Sequence, residues 1–330
     1  MKITKLLATA ALLAAAFRFN PARAEIANTD SFNGFVKHMV KQHRFNEAEL
    51  RKLFKEVAIQ QPILDAMSKP AEGKPWHQYR EIFMTESRIA GGAQFWRDNE
   101  AALKAVEQQY GVPAEIIIAI IGVETKYGAF TGKYRVIDAL ATLGFAYPSR
   151  SEFFLKELEQ FLLLSREEHI NPLQPMGSYA GAMGLSQFMP SSFRSYARDF
   201  DLDRKRDIWH NPADAIASVA NYFVANHWQR GGAIASQVSA KGEAYQQALS
   251  KGVKPDTTVG QLRKLAIGIP SQLADAENAK LLSYPLLNGE ELWLGLHNFY
   301  VITRYNHSPL YAMAVYQLSQ AIKAKHAGLS

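Results

Sequence analysis

Hydrophobic positions recur at helical spacing through most of this 330-residue chain, and the first clear run opens at Ser31. From there to Lys55, Phe32, Phe35, Val36, Met39, Val40, Phe45 and Leu50 form an apolar stripe, with Asn46 placed to cap a second short helix. Phe95 to Tyr110 is another amphipathic stretch, closed by Gly111. Pro113 then stands at the first turn of a helix whose body, Ile116 to Val123, holds no charge at all. Ser151 to Leu164 repeats the pattern with Phe153, Phe154, Leu158, Phe161 and Leu162. Asn211-Pro212 and Ser308-Pro309 read as a cap followed by a first-turn proline. The first opens a helix burying Ile216, Val219, Ala220 and Phe223. The second opens a last helix through Tyr311, Met313, Val315, Tyr316 and Leu318. Between them the pattern changes: Gly231 to Leu296 has scattered polar residues and the prolines Pro255, Pro270 and Pro285. Asn288-Gly289, between Tyr284-Pro285-Leu286-Leu287 and Glu290-Glu291-Leu292-Trp293, is a two-residue hairpin signal. The chain is therefore predicted to be mainly α, an α+β fold with a small β-containing insertion at 231–296.

The apolar run delivers Glu124 to a helix end, followed by Thr125-Lys126-Tyr127-Gly128. Burial disfavours an ionised carboxylate, so such an acid can stay protonated near neutral pH and give a proton to a leaving group. The plain alternative is a residue that caps a core helix and points at water.

The first residues read as a leader. Lys2 and Lys5 precede an apolar stretch from Leu6 to Phe17, and Ala22-Arg23-Ala24 is a small-x-small cleavage pattern, so 1–24 is expected to be a signal peptide. The stretch is too short for a membrane span. Its removal takes Lys2, Lys5, Arg18 and Arg23 and no acid, so the formal charge falls from +6 to +2. That mild balance suits an anionic wall polymer and does not argue for nucleic acid. There are no cysteines, which leaves neither disulfides nor a lipid-bearing N-terminal Cys. A soluble periplasmic protein is expected.

Three segments are too polar, too glycine-rich or too aromatic for their surroundings: Gly122–Gly128, Gly177–Ser192 and Thr303–Ser308. Small residues in the second let backbone approach a bulky ligand, or serve packing alone; Ser178 and Gln187 offer hydrogen bonds. The third is an aromatic corner suited to sugar rings, or a plain helix cap. Together GVETKYG at 122–128, DALATLGFAYPSRSEFF at 138–154, GSYAGAMGLSQFMPSSF at 177–193, DAIASVANYF at 214–223 and RYNHS at 304–308 resemble the lytic murein transglycosylases of the membrane-bound B type.

The resemblance implies a lysozyme-like helical catalytic core at 111–230, completed by 297–330, with an added helical region at 25–110. It implies cleavage of the bond between N-acetylmuramic acid and N-acetylglucosamine in peptidoglycan, with a 1,6-anhydromuramic end and no cofactor required. Glu124 takes the catalytic position; Tyr79, Arg150, Ser178, Gln187, Tyr222, Tyr305, Asn306 and Tyr311 take substrate-cleft positions. Ser149 departs from the family, which often has a second arginine there. Asp138 and Glu152 read as helix-surface acids. One carboxyl suffices, because the muramic acid's own C6 hydroxyl replaces the attacking water that most glycosidases need. A hydrolytic muramidase on the same fold and an idle wall-binding scaffold are the alternatives. Glycan strands are the implied partner, with wall-synthesis proteins as further candidates.

The family can also carry an EF-hand-like calcium site. Asp199, Asp201 and Asp203 fall at positions 1, 3 and 5 of such a loop, and Asp214 follows 15 residues after Asp199. Against calcium, position 6 is Arg204 where glycine makes the turn, and position 12 is His210 rather than Glu. A solvated acidic-basic turn is the alternative.

Overall fold

The computed structural model describes residues 29–68 and 73–329. The leader expected at 1–24 lies outside the described residues. The chain divides into two compact units, with the boundary between Ile59 and Gln60. The helical region expected at 25–110 is thus divided: residues 60–110 belong with the rest of the chain.

In the first unit, Thr29 caps a helix at Asp30–His43 by accepting from the Phe32 N–H, and Arg44 ends it in the left-handed conformation, φ 56°. Asn46 then caps Glu47–Phe54 through the Glu49 N–H. Phe32 packs against Phe54, ring centroids 5.0 Å apart.

The second unit is built around the helix Ala114–Thr125. Every residue from Ala114 to Gly122 is buried, as expected for a helix apolar on all sides. Even Glu115 is buried, and Lys323 Nζ donates to its Oε1 at 2.7 Å. The helices Glu86–Asp98, Glu100–Tyr110, Pro212–Ala225 and Pro309–His326 surround it. Asn211 and Ser308 cap the last two, each with proline in the first turn. Val136–Ala146, Ser151–Glu167 and Pro190–Tyr196 pack as a further helical group. Two short strands, β1 (Tyr134–Arg135) and β2 (Met176–Gly177), pair antiparallel beside it.

Three sequence expectations need correction. The stretch from Phe95 to Tyr110 is two helices, broken at Asn99 (φ −122°), whose amide Nδ2 bonds back to the Phe95 carbonyl at 2.9 Å. Asp138 is buried, not on the surface, because Arg135 grips its carboxylate with two bonds of 2.8 and 2.9 Å. The hairpin turn is longer than two residues. Pro285 pairs with Glu290, and the Leu286 N–H donates to the Gly289 carbonyl at 3.0 Å. A two-residue type I′ turn needs positive φ at both central positions, whereas here Gly289 has φ +86° and Asn288 does not share it.

That hairpin belongs to a five-stranded antiparallel sheet in the order β4-β6-β7-β3-β5. Its strands are β3 (Ala235–Ala240), β4 (Thr257–Thr258), β5 (Ile267–Gly268), β6 (Asn278–Pro285) and β7 (Glu290–Gly295). Val238, Val259, Leu262, Leu281, Leu294 and neighbours make a core of their own. No helix among the described residues is long and apolar enough to cross a membrane.

Candidate active site

Glu124 stands in the last turn of the central helix, and how that turn ends explains much of GVETKYG. Lys126 and Tyr127 follow in the left-handed conformation, φ 49° and 60°, and the Lys126 N–H closes on the Gly122 carbonyl at 3.1 Å. The Tyr127 ring folds back over the helix and its hydroxyl donates to the Arg88 carbonyl at 2.7 Å. A Cβ on Gly92 or Gly122 would lie 2.6 Å from that hydroxyl oxygen, and one on Gly91 would lie 3.0 Å from the ring. The three glycines therefore form the cradle of Tyr127. Arg88 Nη1 also donates to the Gly122 carbonyl, placing a cation where the helix dipole is negative. Nothing in the sequence pattern pointed to Arg88.

Around the carboxyl itself the neighbours are tyrosines. Tyr311, 3% exposed, donates its hydroxyl to Glu124 Oε1 at 2.6 Å. The hydroxyls of Tyr79, Tyr305 and Tyr311 are all raised above their ordinary pKa, first by burial and next by the Glu124 charge. Glu124 is partly accessible, yet the surrounding protein desolvates it and pushes its pKa up to about 7, against the opposing pull of the Tyr311 bond. A carboxyl so placed is partly protonated at neutral pH, so it can give a proton and take one back.

The other residues expected in the cleft fall into two groups. Tyr222 joins the cluster: its ring stands 4.8 Å from that of Tyr305, and its hydroxyl donates to the Arg304 carbonyl at 2.5 Å. Tyr305 in turn donates to the Ser186 carbonyl at 2.6 Å, tying the corner to the glycine-rich segment. Within that segment Gln187 takes φ 49°, and its amide Nε2 donates to the Gly184 and Thr131 carbonyls at 2.9 and 3.2 Å. Ser178 Oγ accepts from the Ala180 and Ala182 N–H groups at 3.3 and 3.0 Å, which leaves its own hydrogen for donation. Asn306 follows the His297–Tyr305 helix in extended conformation, and its carbonyl accepts from Ser308 N–H at 2.7 Å. Arg150 stands apart: it is exposed, with its guanidinium over Phe153 at 4.5 Å and Phe154 at 5.2 Å. Thr125, beside Glu124, reaches across to the Leu185 carbonyl at 3.4 Å and fixes the motif to this segment.

The acidic loop lies beyond Leu185, whose N–H donates to the Ile208 carbonyl at 2.9 Å. Asp199, Asp201 and Asp203 each bring one carboxylate oxygen within 4.8 Å of the others. Arg204 adopts φ +73°, the left-handed turn that a glycine supplies at position 6 of a calcium loop. The donor set and the turn therefore both suit a hard cation, in spite of the side chain at that position. Asp214 is placed differently. It is fully buried, its two oxygens accept from the Phe200 and Asp207 N–H groups at 2.7 and 2.8 Å, and burial pushes its pKa up to about 6.

The chain as a whole is similar to known proteins. The chain matches the family described as transglycosylase SLT domain over residues 27–320. It is 43% identical over 308 residues to membrane-bound lytic murein transglycosylase B of Escherichia coli K12, covering 90% of this chain and 84% of that protein. The soluble lytic transglycosylase SltB1 of Pseudomonas aeruginosa superposes with a TM-score of 0.86 at 48% identity, over 92% of this chain and 99% of that one. Slt35 of Escherichia coli, solved in complex with calcium, gives 0.85 at 42% identity over 92% and 96%. This chain belongs to the SLT-domain family of lytic transglycosylases.

Proposed function

We propose that this chain cleaves the β-1,4 bond between N-acetylmuramic acid and N-acetylglucosamine in peptidoglycan without consuming water. The observation that carries the reading is Glu124: one carboxyl among tyrosines, its pKa pushed up to about 7. Its proton passes to the glycosidic oxygen as the C1–O bond breaks and the N-acetylglucosamine end departs. The substrate's N-acetyl oxygen covers C1 meanwhile, and the Ser178 hydroxyl is suitably free to orient that group. Glu124, now a carboxylate, removes the proton from the C6 hydroxyl as that oxygen closes on C1. The proton is back on Glu124, and the product carries a 1,6-anhydro end. Tyr311 holds Oε1 throughout, so proton traffic uses the other oxygen. Tyr79, Tyr222, Tyr305, Asn306, Gln187 and Arg150 are the proposed sugar and peptide contacts.

This reading places the chain in the periplasm, where its polymer lies, after removal of 1–24. It assigns catalysis to 111–230 with 297–330, and accessory roles to 25–110 and 231–296. Asp199, Asp201 and Asp203 would hold calcium, with Asp214 bracing the loop beneath; the ion would stiffen the loop and take no part in bond cleavage. Calorimetric titration should show heat with calcium by millimolar levels, and a flat trace would remove the ion. The cleavage itself is tested by digesting purified sacculi and weighing the products. Ends one water lighter than those of a hydrolase are expected, and hydrated ends would replace this reading with a muramidase.

A further inference from the structure

Of the four tyrosines proposed in the cleft, three are tied down by their own hydroxyls and one is not. Tyr311 bonds to Glu124, Tyr305 to the Ser186 carbonyl and Tyr222 to the Arg304 carbonyl. The Tyr79 hydroxyl makes no hydrogen bond among the described residues, yet it lies close enough to Glu124 to feel its charge. A ring held by no bond of its own stands wherever its backbone puts it. The place of Tyr79 is therefore set by the helix that carries it, Trp76–Phe83.

That helix is poorly equipped to hold itself. It has eight residues and no side-chain bond at its N-cap, Pro75, and a helix so short is marginal in water without packing. Only Trp76 among its residues is buried, at 1% exposure. Arg80 Nε donates to Gln317 Oε1 of the last helix at 2.7 Å, but that bond is exposed and water competes for it. At the far end Phe83 lies under the Arg88 guanidinium, 5.3 Å from the ring centre.

Trp76 is anchored in the β insertion. Its ring stands 5.0 Å from that of Tyr284 at an angle of 55°, within the range of favourable aromatic pairs. Tyr284 lies near the end of β6, opposite Glu291 of β7, and is as deeply buried as Trp76. Its hydroxyl donates to the Pro309 carbonyl at 3.1 Å, two residues before Tyr311. One side chain of the insertion thus touches both the helix that bears Tyr79 and the start of the helix that bears Tyr311. Trp76 Nε1 is buried with no hydrogen-bond partner among the described residues. The indole therefore serves by the surface it covers and not by a bond.

We propose that Trp76 and Tyr284 are positioning residues: through this ring pair the β insertion holds the helix Trp76–Phe83 and so sets where Tyr79 stands beside Glu124. The contact of Tyr79 with glycan rests on the proposed cleavage of murein; the mount itself does not. The first test is kinetic, on purified glycan strands. Trp76→Leu should raise KM about tenfold, the scale of one misplaced aromatic contact, with kcat changed less. Trp76→Phe keeps an aromatic ring on Tyr284 and should raise KM only about threefold. In a Tyr79→Ala background neither substitution should raise KM further, because both act through the same ring. Additive losses would overturn the proposal.

The second test needs no substrate. With ring-labelled tyrosine, the Tyr79 resonance, assigned through Tyr79→Phe, should follow the ionisation of Glu124 near pH 7. Trp76→Leu and Tyr284→Leu should each weaken that response while the Tyr305 resonance, which also feels Glu124, keeps it. Circular dichroism checks the fold, and should either leucine variant fail to fold, Trp76→Phe decides by a smaller shift in the same direction. An unchanged Tyr79 response in the folded variants, or an equal loss at Tyr79 and Tyr305, overturns the mount. Absence of anhydro ends with the unaltered enzyme would instead sink the cleavage reading, and the tyrosine resonances would still decide the mount.

Discussion

Glu124 and Asp214 are both carboxyls that the fold pulls out of water, and both have a raised pKa, about 7 and about 6. They differ in what meets the oxygens. Asp214 accepts a backbone N–H on each side of its carboxylate and sits at 0% exposure, under a loop. Glu124 has a tyrosine hydroxyl on Oε1 and remains partly accessible. A raised pKa alone therefore does not mark an acid catalyst. The carboxyl must also keep an oxygen from which a proton can leave, in a place a substrate can reach. The side chain with both oxygens bonded to backbone is a brace.

The largest expected effect separates the two at once. Glu124→Gln keeps the shape and the Tyr311 contact but removes both acid and base, so anhydro-end release should fall by at least about 10³-fold. Undiminished release would end the mechanism. Stability should move the other way. Folding raises the Glu124 pKa above its usual 4.5 to about 7, so the native state binds this proton more tightly. That contribution is complete below the unfolded pKa and is lost as pH climbs through the folded one. Thermal melts should therefore show the Gln variant gaining on the wild type between pH 4.5 and 7. A constant gap across that window would mean that Glu124 is not desolvated.

Asp214→Ala is the converse experiment. It strands the Phe200 and Asp207 N–H groups in a buried setting, at a cost of roughly 2–4 kcal/mol. A lowered denaturation midpoint is expected, with turnover per folded molecule preserved within a few fold. If turnover collapses while the melting curve stays put, the two carboxyls are not the acid and the brace that their bonding suggests.

The difference between these sites was only partly legible in the chain. Helix starts were written locally: Asn46, Asn211-Pro212 and Ser308-Pro309 each carry their own capping chemistry, and each caps a helix in the structure. The charge-free run before Glu124 likewise announced a fully buried helix. Pairings across long separations left no such mark. Tyr311 lies 187 residues from Glu124 and entered only through the family resemblance. Arg88 did not enter at all, since one arginine in a polar stretch looks like any other. Gly91, Gly92 and Gly122 could be read as flexible or small, but not as the cradle of one ring. Asp214 looked like one more carboxylate in an acidic run; its burial depends on the Pro212–Ala225 helix packing beneath the loop, which spacing does not record.

The smallest expected effect is also the sharpest probe of the Glu124 side. Tyr311→Phe removes one hydroxyl and keeps the ring. A hydrogen bond donated to a carboxylate favours its charged form, so this bond holds the Glu124 pKa below the value that burial alone would set. Without it the pKa should rise, and the alkaline limb of the pH–rate profile, where the protonated acid is lost, should move to higher pH. The maximal rate should fall by about tenfold, because Oε1 loses its anchor and the carboxylate form that must accept the C6 proton becomes costlier to reach. A purely structural role for Tyr311 would lower the rate without moving the limb. A limb that moves to lower pH would mean that the hydroxyl favours the neutral acid, accepting a hydrogen bond from the protonated carboxyl instead of donating one to Oε1.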